Sequence, residues 1–237
     1  MAAPSKPSPE RRYRHEVIDS QVQGALDWLE GHASDEIRDA MGARYGIHTN
    51  NAFGVSMADM KRLARQLGRG HELAGALWAT EVYEARTVAA LVDEPARVTS
   101  TQMDRWCRDF DNWAICDTVC FNLFDRVPHA WPKVTKWSRR PEEFVKRGAF
   151  ALLWSLALHD KHATDDQFVD ALVLAEREAV DERPLVKKSI VMALNAIGVR
   201  SAPLNAAATA SAQRLSDSPS ASARWVGRAA LSKLSRR

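Results

Sequence analysis

Two residues four positions apart, Trp113 and Asp117, carry the clearest chemical signal in the chain. In a helix, residues at this spacing project from one face, one turn apart. The pair would therefore set an indole face beside a carboxylate, which favours a cationic or electron-poor group. Taken singly, Trp113 also fits an ordinary core indole and Asp117 an exposed helix acid.

The segment Asp111 to Phe124, which carries this pair, has the composition of a buried helix. Asp117 is the only charged residue between Trp113 and Asn122, and most of its neighbours are apolar. A carboxylate is costly to bury without a partner. We therefore expect Asp117 either to reach solvent or to meet a cation from another helix.

Basic residues form three groups in the second half of the chain, although the net charge is only +3. The groups are Lys133, Lys136, Arg139, Arg140, Lys146 and Arg147; Lys187 and Lys188; and Arg224, Arg228, Lys233, Arg236 and Arg237. Any single run is most simply a solvated helix surface. The three groups together predict a polyanionic partner.

Length and composition limit the class of protein. The 237 residues are 46% hydrophobic, enough for a sizeable core. No apolar run has the length of a membrane span, and the Pro-rich N-terminus has no apolar centre like that of a secretory signal. We therefore expect a cytoplasmic protein with no membrane partner. The three cysteines are too few for a disulfide framework; they are Cys107, Cys116 and Cys120. Cys116 and Cys120 lie one helical turn apart, but no His or third Cys is nearby to complete a metal site.

Helical periodicity recurs along the chain, and no segment shows the alternation of a strand. The predicted helices run from about ten to fifteen residues and are joined by short turns, which favours an all-α fold of antiparallel pairs. Such pairs stack into an α-α superhelix, or solenoid, with a concave face. We predict a disordered leader over residues 1–14 and a single helical-repeat domain over 15–237.

Several motifs together resemble the AlkD-type DNA alkylation repair glycosylases, a family of HEAT-like helical repeats. The matching residues are Asn112, Trp113 and Asp117, Arg147 within a helix, the loop Tyr45-Gly46 to Phe53-Gly54-Val55, the segment Lys61 to Ala64, and Glu84 with Arg86 at a helix start. The resemblance covers roughly residues 37–197. Each motif is weak alone, and their order and spacing give the match its specificity.

The resemblance implies a monofunctional DNA N-glycosylase of base excision repair that removes 3-methyladenine- or 7-methylguanine-type bases from double-stranded DNA. Asp117 would stabilise positive charge on the sugar, Trp113 would face the deoxyribose and the lesion, and Arg147 would hold the adjacent phosphate. Lys146, Lys187, Lys188 and Arg86 would contact DNA. No cofactor or metal is implied. We expect a monomer that is associated with the nucleoid when acting on DNA.

One position departs from the family pattern. Members carry a second site Trp on the helix that here spans Val186 to Ile197, and Met192 stands at that place. Met can pack against a sugar but has no π face. This keeps open a second hypothesis, a non-catalytic DNA-binding member of the fold, and a third, a protein-binding helical-repeat scaffold.

Overall fold

The computed structural model of the chain describes residues 8–235, without the side chain of Arg11. Residues 1–7 of the predicted leader lie outside this range, as do Arg236 and Arg237 of the third basic group. Residues 9–14 belong to the first helix, which corrects the prediction of disorder for them. Pro9 opens that helix, where its fixed φ suits the first turn and its missing N–H costs nothing.

Backbone contacts divide the chain into two compact units, the first ending at Arg97 and the second beginning at Val98. The single domain over residues 15–237 stays a prediction. Unit 1 contains five helices in its described residues. They are α1 (Pro9–Glu30), α2 (Asp35–Tyr45), α3 (Met57–Leu67), α4 (His71–Ala79) and α5 (Tyr83–Val92).

Unit 2 contains eight α-helices within its described residues and a short 3-10 helix, Phe124–Arg126, after the second of them. The eight are α6 (Ser100–Arg108), α7 (Trp113–Asn122), α8 (Ala130–Ser138), α9 (Glu143–His159), α10 (Asp165–Glu178), α11 (Pro184–Gly198), α12 (Ala202–Ser216) and α13 (Ala221–Leu234). Residues 8–235 contain no strand. The all-α prediction is confirmed, and none of these helices has the length and apolar character needed to cross a bilayer.

Side-chain N-caps begin several of these helices. Ser56 precedes α3, and Ser220 precedes α13. The hydroxyl oxygen of Ser56 accepts a hydrogen bond from the backbone N–H of Asp59 at 3.1 Å. Such side-chain caps satisfy amide groups that have no partner inside the helix.

In unit 1, the carboxylate of Glu84 holds the loop that contains Phe53, Gly54 and Val55. Glu84 is fully buried. Its carboxylate accepts hydrogen bonds from the backbone N–H groups of Phe53, Gly54 and Val55, at 3.1, 2.8 and 3.2 Å. Gly54 has a φ of +83°, and a Cβ there would lie 2.3 Å from the carbonyl oxygen of Ser34. Glu84 therefore fixes the conformation of this loop, and position 54 has room only for glycine.

In unit 2, α9 runs through the core and packs on α7, α8 and α11. Its central residues Phe150, Leu152 and Leu153 are fully buried. Burying apolar surface of this kind contributes roughly 25 cal/mol per Å². The helix that carries Arg147 is thus held on several sides, and Arg147 has a fixed position relative to α7 and α11.

The packing of α12 against α13 depends on Gly227. A Cβ at this residue would lie 2.4 Å from the backbone nitrogen of Ser216 and 2.5 Å from the carbonyl oxygen of Ala212. Because these are backbone atoms, a rotamer change cannot relieve the overlap. We expect Gly227→Ala to lower the free energy of unfolding by about 1–3 kcal/mol, measured by urea denaturation.

Gly75 in α4 provides the control for this substitution. No atom lies within 4 Å of the Cβ that alanine would add there. Gly75→Ala should therefore raise stability by about 0.5–1 kcal/mol, because alanine is the better helix former. An equal effect of the two substitutions would contradict the close approach of α12 and α13.

Candidate functional site

The site begins at the N-terminus of α7. Asn112 is the N-cap, and its side-chain oxygen accepts a hydrogen bond from the N–H of Ile115 at 3.0 Å. Asn112 is buried, whereas Trp113, the first residue of the helix, is partly exposed. The Asn in the Asn-Trp pattern therefore starts the helix and sets the direction in which Trp113 leaves it.

Asp117 lies one turn further along α7 and forms a two-pronged ion pair with Arg147 of α9. The Arg147 Nε donates to Asp117 Oδ1 at 3.1 Å, and Nη2 donates to Oδ2 at 2.6 Å. The remaining Nη1 donates to the carbonyl oxygen of Leu185 in α11 at 2.8 Å. The cation expected for Asp117 is thus present, and Arg147 joins three helices.

The ion pair lies beside the indole of Trp113. The guanidinium carbon of Arg147 is 6.0 Å from the centre of the Trp113 ring, at the limit of a cation–π contact. The side chain of Asp117 is 17% exposed and that of Arg147 is 8% exposed. We call Trp113, Asp117 and Arg147 the central cluster. The indole and the carboxylate of this cluster are partly exposed to solvent, and its guanidinium is buried.

Burial raises the pKa of Asp117 above its ordinary value, and the charge and hydrogen bonds of Arg147 oppose that shift. Burial penalises the charged form, while a neighbouring cation favours it. Asp117 therefore takes up a proton at a higher pH than an ordinary aspartate does. Chemistry that needs the ionised carboxylate should weaken as the pH falls through this raised pKa.

A close approach at Gly148 positions Arg147 against α7. A Cβ on Gly148 would lie 3.3 Å from Cys107 Sγ and 3.7 Å from Cys116 Sγ. Burial raises the pKa of the Cys107 and Cys120 thiols well above the usual range, which keeps them protonated. Their role here is packing, since a metal ligand would need the thiolate. Within residues 8–235, no group of three His, Cys, Asp or Glu side chains is arranged to hold a metal ion.

The surroundings of Arg147 limit the predicted phosphate contact, which stays a prediction. Three of the five N–H groups of its guanidinium donate to Asp117 or Leu185, and the side chain is only 8% exposed. A phosphate would have to reach the two remaining N–H groups of a buried side chain. In this structure Arg147 orients Asp117 instead.

Two further predicted DNA contacts are engaged inside their own units. Arg86 is 8% exposed, and its guanidinium carbon lies 5.1 Å from the centre of the Trp78 ring. The Nζ of Lys146 lies 2.5 Å from Glu178 and 3.4 Å from Asp181. The sequence shows the charges of Arg86 and Lys146 but not their burial. Each side chain would have to leave these neighbours to bind a phosphate.

The other two predicted DNA contacts, Lys187 and Lys188, belong to α11. Lys188 is exposed. Lys187 is partly exposed, and its Nζ lies 5.2 Å from the centre of the Trp225 ring of α13. Helix α11 contains no acidic residue. These two lysines therefore keep positive charge at one end of the helix.

Met192 lines a cavity of about 320 Å³ with residues of α9, α11 and α13, among them Trp154 and Asn195. None of the central cluster's residues lines this cavity. The structure thus places Met192 in the same unit as the cluster but does not bring it into the same cavity.

Sequence analysis missed an aromatic pair next to the cluster. Phe121 and Trp154 are both partly exposed, and their ring centres are 4.5 Å apart in an edge-to-face arrangement. A signal was present, because Phe121 continues the four-residue spacing of Trp113 and Asp117. Trp154 follows Arg147 by two helical turns. The partly exposed side of α7 and α9 is therefore aromatic beyond the ion pair.

Residues 8–235 are all-helical, and they hold a carboxylate and an indole one turn apart on α7. The family model for the DNA alkylation repair enzyme matches residues 26–234. The chain belongs to this DNA alkylation repair family. Among curated proteins, no significant match to the sequence was found.

Solved structures give the fold. One similar structure is described as "A new family of proteins related to the HEAT-like repeat DNA glycosylases with affinity for branched DNA structures". It is 21% identical in sequence, with a TM-score of 0.72, and the match covers 81% of this chain and 82% of the solved chain. A second structure, a designed armadillo repeat protein in complex with a (KR)4 peptide, is 13% identical, with a TM-score of 0.44. That match covers 96% of this chain and 95% of the designed chain. The first likeness shows that the fold is that of the HEAT-like helical repeats.

Proposed function

We propose that this protein binds duplex DNA and excises cationic alkylated purines, of the 3-methyladenine or 7-methylguanine type, by hydrolysis of the N-glycosidic bond. The observation that carries the proposal is the carboxylate of Asp117, oriented by Arg147 beside the partly exposed indole of Trp113. Membership of the DNA alkylation repair family supports it.

The chemistry of such a lesion needs few protein groups. A purine that is already cationic leaves as a neutral base and takes the electron pair of the C1′–N bond, so no general acid is required. Positive charge then develops on the sugar, and a water molecule adds to C1′ and loses a proton. Neutral glycosides need two carboxylates for this work. Here one oriented carboxylate stabilises the developing charge, with an indole face beside it.

The direct test is incubation of the purified protein with randomly methylated duplex DNA, followed by identification of the bases set free. We expect release of 3-methyladenine or 7-methylguanine that increases with protein concentration. DNA that stays intact after long incubation, in the presence of folded protein, would contradict the glycosylase proposal.

A second candidate function is binding of DNA without excision. Two observations favour it: Arg147 occupies both oxygens of Asp117, and Met192 lacks the π face of the family's second Trp. The similar structure cited above has affinity for branched DNA according to its description. This candidate predicts salt-dependent DNA binding and no free bases.

Both candidates require contacts to phosphates, and we propose Lys188 as one of them. Each phosphate neutralised by a lysine releases counterions, so log affinity falls with log salt by about 0.9 per contact. Lys188→Ala should weaken duplex binding on all sequences and reduce this slope by about 1, measured by fluorescence anisotropy at several salt concentrations.

Lys146→Ala provides the matched control. Its ammonium is bound to Glu178 and Asp181, and the side chain is 13% exposed. The slope should therefore stay at the wild-type value. A slope that falls for Lys146→Ala and not for Lys188→Ala would contradict this assignment of the two lysines.

A further inference from the structure

Lys187 of α11 and Trp225 of α13 contact each other, and neither belongs to the central cluster. Three further basic residues, Lys188, Arg224 and Arg228, lie within three positions of this pair in the sequence. We call these five residues the α11–α13 face. Neither helix contains an acidic residue. Lys188, Trp225 and Arg228 are exposed, and Lys187 and Arg224 are partly so.

Trp225 leaves part of its surface open to solvent. It is 44% exposed, whereas Trp106 and Trp137 of the same unit are almost completely buried in the core. Exposed apolar residues are common on protein surfaces, so exposure by itself assigns no function to Trp225. The feature that distinguishes Trp225 is its contact with the cation of Lys187.

Lys187 already shows the affinity of this ring for a cation, with Nζ 5.2 Å from the ring centre. Arg228 follows Trp225 by three residues and so lies on the same side of α13. A flat aromatic surface among cations is the combination that binds single-stranded nucleic acid, because bases stack on the ring and the cations meet the phosphates.

We propose that Trp225 is a stacking platform for an unpaired base of the bound DNA, with Lys187 and Arg228 holding the phosphates on either side. Within a duplex the bases hide their faces inside the stack, so away from the duplex ends an unpaired nucleotide is what offers a face to the indole. The inference rests on the DNA binding proposed above, and it adds a preference for DNA in which a single-stranded segment adjoins a duplex.

The test compares two DNA probes of equal length, a full duplex and a duplex with a single-stranded overhang, neither of them alkylated. Stacking on one aromatic side chain changes affinity by roughly 10-fold. We expect the wild-type protein to bind the overhang probe about 10-fold more tightly, and Trp225→Leu to lose that preference. Trp225→Leu should keep its affinity for the full duplex within about 2-fold, since phosphate contacts remain.

Trp225→Phe is the matched variant, because it keeps an aromatic face and most of the packing. It should retain most of the preference for the overhang, and thermal unfolding should show that both variants are folded. The salt dependence of binding should be the same for wild type and Trp225→Leu, because no charge is removed. Loss of affinity for both probes together would indicate a structural role for Trp225 and would overturn the stacking platform.

Failure of this inference is distinguishable from failure of the proposed function. Equal wild-type affinity for both probes would overturn the stacking platform and leave duplex binding and excision standing. Equal loss of preference in Trp225→Leu and Trp225→Phe would also overturn it. No binding of either probe by the wild-type protein would overturn the proposed DNA binding, and this inference with it.

Discussion

Asp117→Asn should reduce the rate of base release from methylated DNA by about 10²- to 10³-fold, the size of effect that follows removal of one oriented electrostatic group. The substitution keeps the shape of the side chain and removes the charge that would stabilise the sugar cation. Single-turnover measurement on folded protein isolates the bond-breaking step. A variant that releases bases at the wild-type rate would exclude this role for Asp117.

The pH dependence gives this experiment a second readout. Because the pKa of Asp117 is raised above 3.8, the wild-type rate should fall as the pH is lowered through that raised value. The residual rate of Asp117→Asn should lack this decline, since the amide does not titrate. An unchanged acidic limb in the variant would assign it to another group.

Loss of an ion pair also affects stability, so Asp117→Asn needs a structural control. Glu176 forms a similar fork with Arg214, at 3.1 and 2.6 Å. This pair joins α10 to α12 and does not contact the central cluster. Glu176→Gln should release bases at the wild-type rate, which would show that a carboxylate-to-amide change away from the central cluster does not stop excision.

The second large effect concerns stability. Arg147→Met should lower the free energy of unfolding by about 3–5 kcal/mol, because it leaves Asp117 largely buried without its cation. The substitution also removes the link to the carbonyl of Leu185. Urea denaturation at neutral pH measures the change directly.

Arg214→Met is the matched control for burial. Its guanidinium makes the same two-pronged contact, but the Arg214 side chain is 61% exposed. Exposed ion pairs contribute about 0–1 kcal/mol, so Arg214→Met should cost far less than Arg147→Met. Similar losses in the two variants would mean that burial does not determine the strength of the Arg147 pair.

The coupling between Asp117 and Arg147 can be measured in the same series. Once one partner is gone, removing the other relieves an unpaired charge. The double variant should therefore be more stable than the sum of the two single losses predicts. Strict additivity would show that the two side chains act independently.

Much of the local structure could be read from the sequence. The spacing of Trp113 and Asp117 predicted their shared face, and the apolar composition around Asp117 predicted a need for a cation. These are properties of one helical turn, and the residues that create them are neighbours in the chain.

The placement of the predicted basic contacts could not be read in the same way. Arg86, Lys146 and Lys188 are equally charged in the sequence, but Arg86 is buried against Trp78, Lys146 is bound to two acids, and Lys188 is exposed. Which of these environments a side chain meets depends on the helix packed against its own. The acid partners of Lys146 lie more than thirty residues away.

The sequence by itself determined an all-helical chain, the turn that carries Trp113 and Asp117, and the presence of a basic second half. Only the tertiary structure decided that Arg147 is the partner of Asp117 and not a free phosphate contact. The physical reason is distance along the chain. Helical periodicity is set within four residues, whereas a buried carboxylate is neutralised by whichever cation the packing of α9 on α7 brings to it.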